Sequence, residues 1–439
     1  MRRIALASLI GTTIEWYDFF LYGTMAALVF GKVFFPALDP TAATLASFAT
    51  FAAGFVARPI GGLLMGHLGD KVGRKAALVL SLSLMGGVTF AIGLLPTYDQ
   101  IGVTAPALLT ALRFLQGFAL GGEWAGAAAL TTEHAPAHRR GWYGAWVQYG
   151  ALGGILLSTG TVLVLSENLT ERQFVTWGWR VPFLLSALLL VVGLFIRLRI
   201  EESPVFKGLV RDGTKVRVPA LAVLRRHWWT VLRVTGMHLT VTTLAFTGTT
   251  FMVSYGVKSA GYTRSAMLGV VCTGVALIMC VAPLLGLLVD RVGRKRLYVA
   301  GTLLTMAGAF PAFWLLGTGE FWPGVAAVLC VLGPSTVLYQ TQASFFTELF
   351  PPAYRVTGAG LGVQLATVLL GGSAPMIAQS LLTRTHGDPW SVSAYICAVA
   401  SVSLLCALLT RDTRPTRPAP AAVPEAVVVR EVAAETVSV

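Results

Sequence analysis

Charge is scarce in this chain. Of its 439 residues only 12% are Asp, Glu, Lys or Arg, 55% are hydrophobic, and the mean hydropathy is +0.72. That is too little charge to cover a water-soluble globule of this length, so lipid is the solvent the composition implies. Cysteine is sparse as well. Cys272, Cys280, Cys330, Cys397 and Cys406 all fall inside apolar runs and show no Cys-x-x-Cys or Cys/His spacing, which excludes a disulfide framework or zinc module and leaves packing as their role. No P-loop, nucleophile elbow or metal-ligand cluster is written in the sequence, so neither an enzyme nor a resident cofactor or metal is expected. The first 23 residues begin with Arg2 and Arg3, but carboxylates interrupt the apolar stretch and no clear cleavage site follows. They read as a retained first helix.

What is present is a set of long apolar runs. A bilayer core asks for roughly 20 apolar residues per helix, and the punctuation by Gly, Pro and charge predicts spans near 4–30, 44–69, 76–95, 104–132, 140–165, 180–199, 228–256, 264–288, 297–317, 322–347, 356–382 and 390–410. The fold class is therefore an all-α membrane protein of twelve transmembrane helices in two six-helix bundles. Residues 1–199 form the first bundle, 200–227 a cytoplasmic linker, 228–410 the second bundle and 411–439 a Pro-broken disordered tail.

Basic residues outnumber acidic ones, 33 against 20, for a formal charge of +13. With the chain threaded through these spans, 24 of the 33 Lys and Arg fall on the side of the termini, six on the other and three within spans. This is the positive-inside bias. It predicts a multi-pass protein of the cell membrane with both termini cytoplasmic, the lipid bilayer as partner and no nucleic acid.

The ten residues GHLGDKVGRK, Gly66 to Lys75, return as GLLVDRVGRK at Gly286 to Lys295. Glu133, Pro136 and Arg140 likewise match Glu348, Pro351 and Arg355. Both repeats read in the same direction, as a duplicated half does.

The doubled G-x3-D-x2-G-R-K element resembles the signature of the major facilitator superfamily. GTTIEWYDFFLYG (Gly11 to Gly23), ARPIGG (Ala57 to Gly62), RFLQGFALGGEWAGA (Arg113 to Ala127), GWRVPF (Gly178 to Phe183) and EESPVF (Glu201 to Phe206) are similar to its bacterial metabolite/proton symporters, over roughly residues 8 to 410. The resemblance implies an uptake carrier that alternates between inward-open and outward-open states and moves an organic solute with protons. It also implies a coupling role for Arg113, whose RFLQG setting is similar to the fourth-helix element of such carriers.

Charges within a span cost roughly 3 kcal/mol each on insertion scales and ask for a reason. Glu15, Arg58 and Glu123 each lie about 11 residues from the cytoplasmic end of their spans, hence ~16 Å deep at ~1.5 Å per residue. Three charges from three helices meet at one depth. Asp18 follows Glu15 by one turn on the same helical face, so Glu15, Asp18 and Glu123 are expected to share one interior cavity. Arg113 lies about ten residues, hence ~15 Å, further out than Glu123. Glu15, Asp18 and Glu123 are the proton-carrying candidates, with Arg58 and Arg113 as cationic partners. Burial favours a neutral carboxyl and a nearby guanidinium favours the ionised form, so a substrate anion that occupies the guanidinium hands the carboxyl a proton. The competing reading is a set of fixed interhelical ion pairs.

The second half is polar in another way. His238 and Gln340, Gln342 and Gln364, with Arg58, Arg113, Gln148 and Tyr149 from the first half, are the candidate substrate contacts. For His238 a packing role is the equal alternative, and the Thr run from Thr240 to Thr250 also reads as hydroxyls bonded back to their own helix. Gly66, Asp70, Gly73, Arg74 and Lys75, with Asp290, Gly293 and Arg294, form the expected cytoplasmic gate. Its glycines allow close contact or a tight turn, and its carboxylates can pair with Arg or with helix N-termini.

The function expected is proton-coupled uptake of a small organic acid or zwitterion by a monomer, with protons as coupling ion and no cofactor. An uncoupled facilitator or a proton-driven efflux antiporter on the same fold is the alternative.

Overall fold

The structure is a computed structural model and describes residues 2–72, 74–121, 140–198, 223, 225, 227–350 and 355–411. Helix accounts for nearly all of them. In the first half the long helices are α1 (Arg2–Leu28), α2 (Pro40–Val72), α3 (Arg74–Gly93), α4 (Thr104–Leu120), α5 (Arg140–Asn168) and α6 (Arg180–Leu198). In the second half α7 is made of Trp228–Phe246, a π turn Thr247–Phe251 and Met252–Lys258. It is followed by α8 (Arg264–Val292), α9 (Arg294–Leu316) and α10 (Phe321–Glu348). Then come α11, made of Arg355–Ala366, a π turn Thr367–Gly371 and Ser373–Arg384, and α12 (Trp390–Leu408). Each predicted span coincides with one of these. Most of the predicted 200–227 linker, the 412–439 tail and the far part of the 104–132 span lie outside the described residues.

Among the described residues seven helices are long and apolar enough to cross a bilayer by themselves, and an eighth if the bent pair Glu171–Gly178 and Arg180–Phe195 is taken as one span. Neither α1 nor the whole of α7 is among them. Their apolar character is diluted by the polar groups they bury: Thr12, Glu15, Asp18 and Thr24 on α1, and Thr235, His238, Thr240, Thr242, Thr243, Thr247, Thr249, Thr250 and Ser254 on α7. The outer helices show the reverse. Leu188, Val191 and Phe195 on α6, Leu303, Leu304 and Trp314 on α9 and Leu405 and Leu408 on α12 stand exposed, as side chains do whose solvent is lipid.

Hydroxyls within the bundle are satisfied mainly by their own helix. Thr249 donates to the Ala245 carbonyl at 2.7 Å, and Thr235 donates to Val231 and also reaches the Gly362 carbonyl. Thr240 instead bonds Ser403 on α12 at 2.7 Å. Back-bonding thus explains part of the Thr run, while Thr242 faces the space between the halves. Gly293, between α8 and α9, has φ +97°, a backbone conformation that glycine adopts without strain. The tight turn expected there is present.

Helices α2 and α4 touch through glycine. A Cβ placed on Gly117 would coincide with the Gly54 carbonyl, and one on Gly54 would meet Arg113 Nε at 2.8 Å and the Arg113 carbonyl at 3.1 Å. Backbones this close leave no volume for a side chain. Gly117→Leu is therefore expected to cost more than the ~1–3 kcal/mol of ordinary overpacking and to remove the monodisperse peak in size-exclusion chromatography. Gly87→Ala, where nothing lies within 4 Å of the added atom, should leave that peak and its thermal midpoint unchanged.

Candidate functional site

A cavity of about 1190 Å³, including the part open to solvent, lies between the two halves. Glu15, Trp16 and Phe20 of α1, Arg58 of α2 and Gln148 of α5 line it from one side, and His238, Tyr339, Gln340 and Gln364 from the other. Charge comes from the first half. The second contributes hydroxyls, two amides, an imidazole and the rings of Phe246 and Tyr339.

Arg58 is 8% exposed, and among the described residues no carboxylate pairs with it. Its guanidinium rests on aromatic faces, 4.6 Å from the Phe19 ring centre and 4.8 Å from Phe55, and its Nε has no hydrogen-bond partner. Cation–π contact in a desolvated setting is worth about 2 kcal/mol or more, which holds the cation in place and leaves hydrogen-bonding capacity for an incoming acceptor. His238 Nδ1 lies 2.8 Å from Gln342 Oε1. An amide oxygen only accepts, so Nδ1 is the donor in this contact.

Arg113 and Asp18 are not cavity residues. Asp18 is 1% exposed and Arg113 0%. The Arg113 guanidinium is enclosed by Phe19, Tyr22 and Phe51, at 4.2, 4.3 and 4.7 Å from their ring centres, and Nη1 donates to Gln116 Oε1. Gln116 Nε2 donates to Thr89 Oγ1 at 2.8 Å, the Thr89 hydroxyl donates to the Met85 carbonyl at 2.9 Å, and Asp18 Oδ1 is buried with no hydrogen-bond partner among the described residues. A polar chain thus runs from the Arg113 guanidinium of α4 through Gln116 to Thr89 of α3.

This corrects the expectation of one shared interior for Glu15 and Asp18. Three residues along an α-helix turn through about 300°, so i and i+3 differ by about 60° in azimuth as well as by one turn in height. That offset sends Glu15 to the cavity and leaves Asp18 buried away from it. Direct pairing of Arg58 or Arg113 with Glu15 or Asp18 is likewise replaced, by aromatic faces and the Gln116 amide. Glu123 lies outside the described residues.

Of the remaining substrate candidates, Gln148, His238, Gln340 and Gln364 line the cavity. Tyr149 does not, because its hydroxyl donates to the Met279 carbonyl of α8 at 2.8 Å. Gln342 sits behind His238 as its partner. Gln364 also donates to the Gly121 carbonyl across the halves at 2.9 Å. Among the gate candidates, Arg294 pairs with Glu348 at the end of α10, within its own half. The side chains at 66, 70, 74, 75 and 290, and the whole of Gly73, lie outside the described set.

Sequence reasoning did not single out Gln116, Thr89, Tyr339 or Phe246. Gln116 was within reach, since it follows Arg113 by three and i, i+3 side chains are neighbours. Thr89 carries no comparable signal. Phe246, the last residue before the π turn of α7, inserts between α1 and α2, its ring centre 5.5, 5.4 and 5.1 Å from Phe19, Phe51 and Phe55. It closes the cavity on the side away from the termini. Further out, Lys258 donates to Thr44 at 2.6 Å, and Glu171 bridges Lys32, at 3.0 Å, and Arg264 of the other half. These contacts clasp the halves together on this face.

A family model described as Major Facilitator Superfamily matches residues 8–375. The chain belongs to the major facilitator superfamily. It is 40% identical over 416 residues to the shikimate transporter of Escherichia coli (strain K12), covering 94% of this chain and 95% of that one. With the proline/betaine transporter of the same organism it shares 32% identity over 445 residues, 98% of this chain and 87% of the other. The crystal structure of a D-xylose–proton symporter superposes with a TM-score of 0.70 at 19% identity, over 92% of this chain and 96% of that one, a likeness of fold. This superfamily member is a multi-pass membrane transporter and not an enzyme.

Glu171 and Lys32 are more than half exposed, and such exposed pairs contribute about 1 kcal/mol or less. Glu171→Gln is therefore expected to raise, by two- to five-fold, the labelling of a Ser335→Cys variant by an impermeant thiol reagent added on the Glu171 face. The background is one in which the native cysteines are replaced. Unchanged labelling would mean that the clasp does not hold this face shut.

Proposed function

We propose that the chain is a proton-coupled symporter that takes up a small solute bearing one carboxylate, an organic acid or a zwitterion. Both termini lie in the cytoplasm in this reading. The observation that carries it is Arg58, a buried guanidinium at the cavity wall with an unpartnered Nε and no carboxylate beside it among the described residues. A substrate carboxylate is the counter-ion this arrangement accepts, and the planar fork of Arg suits it. One guanidinium in the cavity favours one carboxylate over two or three. Glu15 in the same cavity gives a zwitterion's cationic end a partner, while the amides and His238 suit hydroxyl or N–H donors. The names of the relatives, a shikimate transporter and proline/betaine transporters, fall within this class.

Proton coupling is supported by Asp18, a carboxyl buried one turn from the cavity whose Oδ1 has no hydrogen-bond partner among the described residues. The cytoplasmic gate of Asp70, Arg74, Asp290 and Arg294 belongs to the same reading, with Arg294 held by Glu348.

The experiment is uptake of labelled shikimate and of labelled proline into proteoliposomes under an imposed pH gradient. Accumulation that follows an inward proton gradient, with alkalinisation outside, is expected for at least one of them. Equilibration without proton flux would identify a facilitator, and solute-driven proton movement in the opposite sense an antiporter. Arg58→Gln is expected to reduce uptake by at least tenfold. Arg58→Lys should restore only part, mainly as a raised KM, because an ammonium keeps the charge but loses the fork and the ring stacking.

A further inference from the structure

A second gathering of charge lies at the mouth between the halves, on the face away from the termini. None of its members lines the central cavity. Glu171 of the first half divides its carboxylate between two cations: Oε1 lies 3.0 Å from Lys32 Nζ, and Oε2 meets Arg264 Nη2 of the second half. Lys258, also of the second half, donates to Thr44 Oγ1 at 2.6 Å. The turn that carries Thr44 packs on the turn that carries Lys32, since a Cβ on Gly31 would stand 3.4 Å from the Ala43 carbonyl. Lys258 thus belongs to the same cluster, and Lys32 is close enough to repel both Lys258 and Arg264.

Three cations share one carboxylate here, and Asp39 and Asp388 on the same face accept instead from backbone N–H groups, of Thr41 and Ala42 and of Trp390. Excess positive charge at a mouth concentrates anions. How Arg264 is held decides what it can take. Its guanidinium lies 4.1 Å from the ring centre of the buried Phe174, and that stacking fixes the plane of the cation while using none of its N–H groups. A planar fork held in this way suits a carboxylate. Glu171 and Lys32 are more than half exposed, and exposed pairs are weak, so a dissolved carboxylate can compete for Arg264.

We propose that Lys32, Lys258 and Arg264 form an outer reception site for a monocarboxylate anion, at which the incoming carboxylate takes Arg264 from Glu171 and loosens the clasp before the solute reaches Arg58. Only the bond between halves is exchanged. Glu171 keeps Lys32 within the first half, and the new carboxylate lies between Arg264 and Lys258, both of the second. The clasp therefore yields to the charged group of the solute itself. Phe246 separates this mouth from the central cavity, so the two sites are occupied in turn. The identity of the ligand rests on the carboxylate reading of the central site, but the outer site is made of other residues and is tested apart from it.

The experiment follows labelling of Ser335→Cys, with the native cysteines replaced, by a sugar-linked maleimide that is impermeant and uncharged. Arg58→Gln is added, so that an effect of solute arises outside the central cation. Millimolar sodium shikimate, at an ionic strength held with sodium chloride, is expected to raise the labelling rate by about two- to five-fold, and shikimate methyl ester to leave it unchanged. Lys258→Gln removes the charge yet keeps a donor for Thr44, and should abolish the increase. Glu171→Gln should start from the raised rate and gain nothing further. In proteoliposomes with Arg58 intact, Lys258→Gln should raise the KM for labelled shikimate by about three- to ten-fold at unchanged kcat, a measurement that serves also if the labelling variant does not fold. Failure of shikimate to accelerate labelling, equal acceleration in Lys258→Gln, or an unchanged KM overturns the reception site and leaves Glu171 as a structural clasp. Acceleration by shikimate in a protein whose wild type moves no protons with either solute keeps the outer site and removes the symport reading.

Discussion

Two guanidiniums sit inside an apolar bundle with no carboxylate beside them among the described residues, and the rest of the interior is arranged around keeping them there. Arg58 and Arg113 both stack on Phe19, and Arg113 also stacks on Tyr22 and Phe51. Aromatic faces supply attraction without supplying a countercharge of their own. The arrangement depends on how closely α2 and α4 approach. Gly54 and Gly117 let the two backbones meet, and Gly54 also leaves the room that Arg113 occupies. A side chain at either position would push the cation out of its ring cage.

The same ring joins the charged site to the closure of the molecule. Phe19 lies 5.5 Å from Phe246, the residue of the second half that seals the cavity on the face away from the termini. A π turn follows Phe246 at once, and a second interrupts α11 at Thr367, which also lines the cavity. Such turns widen a helix locally and recur at functional sites. Cavity, cations and outer closure are thus one contiguous packing unit, whereas the exposed Glu171 clasp is a weaker and separate contact further out.

Much of the architecture was legible before any coordinates. Spans of about 20 apolar residues can only be helices in a bilayer, because no other local structure satisfies its backbone there. The repeats at Gly66 and Gly286 and the charge bias then order those helices into two halves. Counting residues also placed Glu15 and Arg58 at a common depth, and both line the cavity. Gln148, His238, Gln340 and Gln364 were found by the same logic of polar groups inside apolar runs. Tyr149 and Gln342 satisfied that logic equally, yet their polar atoms are engaged elsewhere, by Met279 and by His238.

By itself, the sequence determined that this is a membrane transporter of two related halves, and how deep each polar residue lies, because length, hydropathy and the rise per residue are properties of one helix. Which neighbour each residue meets was decided only by the tertiary structure. Asp18 parts from Glu15 and is buried away from the cavity, Arg113 takes rings in place of an acid, and Phe246 crosses from one half to pack against the other. Azimuth and contact depend on how helices distant in the chain pack together, and no count along a single helix contains that information.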